Sequence, residues 1–472
     1  MKFEPHDYQT RMINRTLSQS EIGLLLDMGL GKTVISLTAA DVLMYEDFSV
    51  SRVLVITTKS ARLSWVQEVK RWDHLNHLRV AVVEGSPAQR EWILTRDDVD
   101  VFIINRDLTS WISGFYLKQI TKPKRRTGRR VQIPDMLIID ELSSYKSAKT
   151  ARFKALKRIR PLFKRVVGLT GTPNPNGYDD LWSQMYLLDR GKALLPTLRA
   201  YHDAYFHPGR GNGHIVYEWL LDKGAEELIR KRLEGLCVSM KAEDYLTLPD
   251  LIVDDIPVEL SSSEMEKYKA LERDKILALA DEQGGGAIST FQAATPAIKL
   301  MQLSGGSVYA DDGSAVSFHS AKLDALEDIL EATGEDEPVM VMYSYKHELD
   351  RIWDRFREYG PRLIDGEKDV DDWNAGRIRL LLCHPQSVAH GMNLQYGPGH
   401  RIVWYTLTNS LELYDQANHR LYRQGQTRPV FIHRLIAQDT IDEAVAQRLT
   451  QKDQTQQALM EYLKEKVQAT LK

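Results

Sequence analysis

The stretch LLLDMGLGKTVISL, residues 24–37, joins an apolar run to an amphipathic run through a short turn that contains two glycines. The apolar run is typical of a buried strand, and the residues beyond the turn are typical of a helix. A glycine-rich turn at such a junction exposes successive backbone N–H groups, and the helix adds the positive end of its dipole. We therefore expect this turn to bind phosphate groups.

The side chains of this turn fit a nucleoside triphosphate. Lys32 is placed to reach the β and γ phosphates, and the hydroxyl of Thr33 is placed to bind Mg²⁺. Gly29 and Gly31 let the backbone approach the phosphates without a Cβ clash. The general pattern G-x-x-x-x-G-K-[ST] has glycine where this chain has Leu26, so a plain strand–turn–helix junction is the alternative. The residues assigned to the phosphate site are Gly29, Leu30, Gly31, Lys32 and Thr33.

A second motif, MLIIDEL at residues 136–142, supplies acidic residues. Its apolar run leads to Asp140 and Glu141, and ligands of open α/β sheets bind at the carboxyl ends of strands. Asp140 is placed to hold Mg²⁺, and Glu141 is placed to orient and deprotonate an attacking water. Two acids can instead simply open a helix, but their combination with Lys32 and Thr33 favours a site for ATP and Mg²⁺.

Short apolar runs alternate with helical patterns along the whole chain, which predicts parallel sheets covered by helices on both faces. Two such sets occur, so we expect two α/β units with a helical insertion between them. The predicted strands are residues 53–57, 101–104, 136–140, 166–170, 339–343, 379–383, 401–405 and 430–436. The predicted regions are a first lobe at 1–190, a helical protrusion or linker at 191–250, a second lobe at 251–450 with a helical segment at 262–305, and a C-terminal helix at 451–472.

Composition excludes several classes of protein. The chain has 472 residues, with 43% hydrophobic and 27% charged residues, as in soluble globular proteins of more than one domain. Its net charge of -3 does not by itself indicate a nucleic-acid partner. Cys237 and Cys383, the only cysteines, cannot build a disulfide framework or a cysteine-based zinc site. The opening MKFEPHDYQT lacks the apolar core of a signal peptide, and no run is long enough to span a membrane, so we expect a cytoplasmic protein.

One run of basic residues, KPKRRTGRR at 122–130, has two interpretations. Most such runs are solvated loops. Loops that grip backbone phosphates are also built from such residues, so this run is a candidate for binding nucleic acid. The candidate side chains are Arg125, Arg126, Arg129 and Arg130.

Four motifs occur in order: DMGLGKT, IIDELSSYKS, GLTGTPNPNGYDDLWSQMYLLD and YDQANHRLYRQGQTRPVFIHRLIAQDTIDE. Together they resemble the Swi/Snf-type ATPases of helicase superfamily two, over nearly the whole chain. The pattern Gln-x-x-x-Arg-x-x-Arg-x-Gly-Gln, which begins at Gln416, is the most specific of these signals. The acid motif departs from the family, since it reads Asp-Glu-Leu-Ser where Asp-Glu-Ala-His is usual, with Ser143 at the position of the histidine.

The resemblance implies two RecA-like lobes with ATP in the cleft between them, and it extends the set of site residues. Gln9 matches the glutamine that reads adenine, and Arg420 and Arg423 match arginine fingers, whose planar guanidinium groups neutralise charge on the transferred phosphoryl group. The segment SVAHGMNLQ, residues 387–395, matches a second-lobe motif that contacts ATP and DNA. The remaining matched residues are Gly391, which binds ATP, and Thr170, Thr172, Asn393 and Lys59, which contact DNA or couple it to ATP.

The tryptophans at 65 and 72 lie near the family's first-lobe DNA-contact segment, but a core position is the better interpretation for both Trp65 and Trp72. The function implied is an ATP-dependent translocase on double-stranded DNA, acting as a single chain, in a host cytoplasm if phage-encoded. Two alternatives remain. One is a helicase that separates DNA or RNA strands, and the other is a nucleotide-switched ATPase subunit of a defence or remodelling complex.

Overall fold

The structure of the chain is a computed structural model that describes residues 1–451 except 60, 122–130, 172–177, 210, 213–214, 217–218, 242–243, 246–247, 282–289, 311, 335, 365 and 389–391. The chain divides into two compact units, Met1–Leu246 and Thr247–Lys472. Several predicted features lie outside the described residues: most of the C-terminal helix at 451–472, Thr172, Gly391, and the basic residues Arg125, Arg126, Arg129 and Arg130.

The first unit is built on a parallel sheet of seven strands, in the order β11-β1-β6-β5-β2-β4-β3. Two antiparallel pairs, β7 with β10 and β8 with β9, stand apart from it. The strands are β1 (Glu21–Leu26), β2 (Val53–Thr57), β3 (Val80–Val83), β4 (Val101–Asn105), β5 (Met136–Asp140), β6 (Arg165–Thr170), β7 (Phe206–Pro208), β8 (Gly211–Asn212), β9 (Ile215–Val216), β10 (Trp219–Leu221) and β11 (Cys237–Met240). The helices are α1 (Asp7–Ser18), α2 (Lys32–Tyr45), α3 (Ala61–Arg71), α4 (Pro87–Leu94), α5 (Thr109–Thr121), α6 (Ala151–Ile159), α7 (Leu181–Asp189), α8 (Leu198–Tyr205) and α9 (Ala225–Leu233).

Helices cover both faces of this sheet. The strand β2 shows why, because its side chains are apolar on both faces. All five residues of β2 are buried. Leu54 and Ile56 join the core on one face, and Val53 and Val55 join the core on the other. A strand that is buried on both faces reads as a continuous apolar run, which is why the four predicted strands of this unit are confirmed.

The segment 191–250 contains more strand than its sequence indicates. Its last strand, β11, runs parallel to β1 and extends the first sheet, with Leu26 opposite Met240. Of the four residues of β11, two are half-exposed, one is exposed and one is buried, and they carry neither an apolar run nor a clean alternation. Their strand conformation therefore depends on pairing with β1, a contact that is distant in sequence and leaves no local signal.

The second unit also contains a parallel sheet, with six strands in the order β12-β19-β18-β15-β17-β16. Its four predicted strands are confirmed, and with the first sheet they confirm the α/β class. The six strands of this sheet are β12 (Leu251–Val258), β15 (Val339–Met342), β16 (Arg362–Leu363), β17 (Leu380–Cys383), β18 (Arg401–Trp404) and β19 (Val430–Ala437). A separate antiparallel pair is formed by β13 (Ser307–Tyr309) and β14 (Ala315–Ser317). The helices are α10 (Ser262–Asp281), α11 (Thr290–Ser304), α12 (Ala321–Ala332), α13 (Lys346–Arg355), α14 (Glu367–Asn374), α15 (Pro385–Val388), α16 (Leu411–Asn418) and α17 (Ile441–Thr450).

Candidate nucleotide site and arginine motif

The glycine turn of the opening motif connects β1 directly to α2, as its sequence predicts. Gly29 has φ of 86° and Gly31 has φ of 78°, a region that side chains with a Cβ rarely adopt. Leu30, between them, is fully buried, so its side chain anchors the turn in the core and only its backbone can face a ligand. Lys32 is the first residue of α2 and the half-buried Thr33 is the second.

The ammonium of Lys32 lies across this turn. Its Nζ donates hydrogen bonds to the carbonyl oxygens of Leu26, at 2.6 Å, and Asp27, at 3.2 Å. A Cβ on Gly171, just beyond β6, would lie 3.8 Å from the same Nζ. The end of β6 therefore lies beside the turn, and an anion bound in the turn would contact the ammonium of Lys32.

The beginning of α1 packs against the other side of the turn. A Cβ on Gly31 would come within 2.6 Å of Nε2 of Gln9, whose Oε1 accepts a hydrogen bond from the backbone N–H of His6 at 2.9 Å. The hydroxyl of Tyr8 donates to the carbonyl oxygen of Leu30 at 3.3 Å. Burial raises the pKa of Tyr8 to about 12, so this hydroxyl keeps its proton and remains a donor at neutral pH.

Asp140 lies at the carboxyl end of β5, and two side chains hold one of its oxygens. Oδ2 accepts hydrogen bonds from Oγ1 of Thr57 at 2.6 Å and from the indole N–H of Trp65 at 3.0 Å. Oδ1 accepts from the backbone N–H of Glu141 at 3.1 Å. The prediction that Trp65 is a core residue is confirmed, since it is 1% exposed. Its role in orienting Asp140, and that of Thr57, were missed.

Glu141 has an unusual backbone. Its φ of 53° places it in the left-handed region, where a residue with a Cβ is strained by about 1–3 kcal/mol. Such strain clusters at functional positions, where it fixes the direction of one side chain. The carbonyl oxygen of Glu141 accepts a hydrogen bond from the N–H of Ser144 at 2.9 Å, which closes the turn that follows β5.

Parallel pairing brings the glycine turn, Asp140 and Glu141 to one edge of the first sheet. Leu25 lies opposite Thr170, and Asp140 lies opposite Leu169, so the ends of β1, β6 and β5 are neighbours. Thr170, predicted to couple ATP to DNA, is fully buried. Lys59, predicted to contact DNA, is exposed in the turn after β2 at the same edge.

In the second unit, the segment 387–395 contacts the arginine motif that begins at Gln416. Nη1 of Arg423 donates a hydrogen bond to Oδ1 of Asn393 at 2.8 Å. The backbone N–H of Leu394 donates to the carbonyl oxygen of Arg420 at 3.2 Å. A Cβ on Gly425 would come within 2.8 Å of the ring of Tyr396. Gly425 also has φ of 103°, a region that residues with a Cβ rarely adopt, which accounts for the glycine of the Gln-x-x-x-Arg-x-x-Arg-x-Gly-Gln pattern.

A buried ion pair, which sequence reasoning missed, connects α12 to α17 in the second unit. Nζ of Lys322 lies 2.6 Å from Oδ2 of Asp442, and both side chains are at most 2% exposed. Ser304 Oγ donates to Oδ1 of Asp442 at 2.6 Å, and the N–H of Ala437 donates to Oδ2 at 3.1 Å. Asp442 falls in the last of the four motifs shared with the resembled family, and its buried contacts with Lys322 and Ser304 stabilise the fold.

None of the described helices is both long enough and apolar enough to cross a membrane. The predicted cytoplasmic location stays a prediction.

The family model of the SNF2-related domain matches residues 8–303. Putative protein p41 of Acyrthosiphon pisum secondary endosymbiont phage 1 is 33% identical over 98% of this chain and 99% of its own length. The ISWI chromatin-remodeling complex ATPase ISW2 of Saccharomyces cerevisiae is 23% identical over 94% of this chain, which spans only 40% of that protein. The Sulfolobus solfataricus SWI2/SNF2 ATPase core in complex with dsDNA is a solved structure with 22% identity, a TM-score of 0.44, and coverage of 100% of this chain and 95% of its own. Since the domain match covers more than half of the residues, this chain belongs to the SNF2-related family.

Proposed function

We propose that this protein is an ATP hydrolase that uses ATP to move along double-stranded DNA. The observation that carries the proposal is the convergence of the glycine turn, Lys32, Asp140 and Glu141 at one edge of the first sheet. Membership of the SNF2-related family supports it, as does the likeness to an ATPase of a chromatin-remodeling complex.

The first unit would bind the nucleotide. The N–H groups of the turn and the ammonium of Lys32 would hold the phosphates, and bound phosphate would replace the carbonyl oxygens that Lys32 now contacts. Gln9 would read adenine. Thr33 and Asp140 supply the oxygen ligands that Mg²⁺ prefers, and the bound ion would neutralise developing phosphate charge.

Glu141 would orient the attacking water and accept its proton. Its left-handed backbone sets the direction in which its side chain leaves the end of β5. Arg420 and Arg423, in the second unit, would stabilise the charge on the transferred phosphoryl group. The hydrogen bond from Arg423 to Asn393 supports a guanidinium held in one orientation. Because these groups belong to different units, hydrolysis would depend on the approach of one unit to the other.

Movement along DNA would follow because hydrolysis depends on the approach of the two units. Each turnover would change their arrangement, and each unit would contact the DNA backbone. Lys59, Thr170 and Asn393 are proposed contacts or coupling residues, together with Thr172, Gly391 and the basic run 122–130 outside the described residues. The proposed location is a host cytoplasm, which the likeness to a phage protein supports.

Steady-state ATPase activity with different nucleic acids tests the proposal. Duplex DNA should raise the turnover severalfold and RNA should raise it little, and a bound third strand should be displaced from a triplex without separation of the duplex. Stimulation by RNA alone, or strand separation, would favour the helicase alternative. Absence of turnover with every nucleic acid, despite ATP binding, would favour the nucleotide-switched subunit.

A further inference from the structure

The last residue of β11 and Tyr245, five residues further along the chain, each contact the region of the glycine turn. The backbone N–H of Asp27, the first residue after β1, donates a hydrogen bond to the carbonyl oxygen of Met240 at 3.0 Å. Five residues beyond Met240, the ring of Tyr245 packs against the ring of Tyr8, with centroids 5.2 Å apart and planes inclined by 47°. These two residues therefore contact the start of the turn and the helix that supports it.

Tyr8 links Tyr245 to the nucleotide site. Its ring lies between those of His6, at 5.6 Å, and Tyr245, and its hydroxyl donates to the carbonyl oxygen of Leu30 inside the turn. The next residue, Gln9, packs on Gly31. Tyr245 is thus one aromatic ring away from the residues assigned to the base of the nucleotide.

Tyr8 is 3% exposed, whereas Tyr245 is 39% exposed. Packing against Tyr8 therefore leaves part of Tyr245 accessible to solvent. Nucleic-acid bases stack on aromatic side chains whatever their sequence, and removal of one such contact weakens binding by about tenfold or more. A partly exposed ring that packs on Tyr8, the residue before the proposed base-reading glutamine, has the chemistry needed for this role.

We propose that Tyr245 forms an aromatic wall of the base pocket, on which the base of a bound nucleotide stacks while Gln9 reads its edge. This inference rests on the proposed function.

The test compares two substitutions in the full-length protein. Tyr245→Leu keeps an apolar contact with Tyr8 and removes the aromatic face, and Tyr245→Phe keeps both. Calorimetry with ADP and with pyrophosphate separates the contribution of the base from that of the phosphates. We expect Tyr245→Leu to weaken ADP binding about tenfold and pyrophosphate binding less than twofold, and Tyr245→Phe to change neither by more than twofold. Tyr45→Leu, at a tyrosine of the first unit with 41% exposure, is the matched control and should bind both normally.

A second measurement does not depend on the folding of the variant. A 2-aminopurine riboside diphosphate should lose fluorescence on binding to the unmodified protein, because stacking quenches this base. Absence of quenching, or equal losses of ADP and pyrophosphate binding in Tyr245→Leu, would overturn the inference and leave the proposed function standing. Failure of the unmodified protein to bind either ADP or pyrophosphate would overturn both.

Discussion

The indole N–H of Trp65 donates a 3.0 Å hydrogen bond to Oδ2 of Asp140, a residue 75 positions further along the chain. The same oxygen accepts from Thr57 at the end of β2, the strand next to β5. A buried tryptophan thus serves packing and orientation together. These two donors hold Oδ2 of Asp140 in one direction. Its other oxygen, Oδ1, accepts the hydrogen bond from the backbone N–H of Glu141.

Trp65→Phe tests this relationship. The substitution keeps an aromatic ring in the core and removes the N–H donor, so Asp140 should lose orientation while the fold survives. We expect ATPase activity to fall about tenfold, with a higher Mg²⁺ concentration needed for half-maximal turnover, since outer partners of metal ligands typically have effects of 10- to 100-fold. Trp72→Phe is the control, because the indole N–H of Trp72, the residue just after α3, donates to Glu68 of that helix and not to the candidate site. An unchanged Mg²⁺ dependence in Trp65→Phe would show that Thr57 suffices.

Lys32→Ala and Glu141→Gln should each abolish turnover, for different reasons. The first removes the ammonium that would hold the phosphates, so nucleotide binding should weaken as well. The second keeps the shape of the side chain and removes the base, so binding should persist. Glu141→Gly should also be inactive yet equally or more heat-stable, because glycine relieves the left-handed strain of about 1–3 kcal/mol. Marked destabilisation by Glu141→Gly would argue against strain at this position.

Arg423→Ala should retain ATP binding and lose hydrolysis, by on the order of 10³-fold or more if the guanidinium acts as an arginine finger. Asn393→Leu should give a smaller loss, since it removes the hydrogen bond that holds Arg423. Arg428→Ala, at an exposed arginine of the same unit, should be close to normal. Single-turnover hydrolysis with saturating ATP measures the chemical step directly, and normal rates in Arg423→Ala would remove the assignment.

The sequence predicted the strands and the motif positions because both are local. A strand buried on two faces is an apolar run, and a phosphate turn needs glycines at fixed spacing, as β2 and Gly31 show. The missed features are contacts between distant segments. The strand β11 forms because β1 offers it a partner, and β12 is a long edge strand whose first five residues are exposed and carry no core pattern.

The candidate site was predictable to the same extent. Asp140 and Lys32 follow from motif chemistry, but the partners of Asp140 depend on which strand lies beside β5, and that order is a property of the folded sheet. Tyr8 carried a weak signal, as a tyrosine directly before the predicted adenine-reading Gln9. Tyr245 carried none, because nothing in its neighbourhood indicates that the chain returns to α1.

Lys322→Met should destabilise the second unit by about 3–5 kcal/mol, since it leaves the Asp442 carboxylate buried without its cation. The double variant Lys322→Met, Asp442→Leu should recover part of this loss because no uncompensated charge remains. Hydrogen exchange on peptides of the second unit measures the change without interference from the first unit. Equal stability of the single variant and the unmodified protein would mean that Ser304 and the backbone satisfy Asp442 alone.

The second unit should lose stability in mild acid because of His347. This side chain is 3% exposed and packs between the rings of Tyr309 and Tyr345, with centroids at 4.8 and 5.4 Å. Burial, helped by the nearby charge of Arg351, lowers the pKa of His347 from 6.5 to about 4. The unfolded chain therefore binds the proton first as the pH falls, so stability is complete above pH 6.5 and declines towards pH 4.

The loss should approach at most about 3 kcal/mol near pH 4, by linkage between the two pKa values. His347→Phe keeps an aromatic ring among the two tyrosines and cannot take up a proton, so its stability should fall less between pH 6.5 and pH 4. Urea denaturation followed by hydrogen exchange in the second unit gives the two curves. Parallel curves for His347→Phe and the unmodified protein would assign the acid sensitivity to other groups, because only a difference in slope reports the proton taken up by His347.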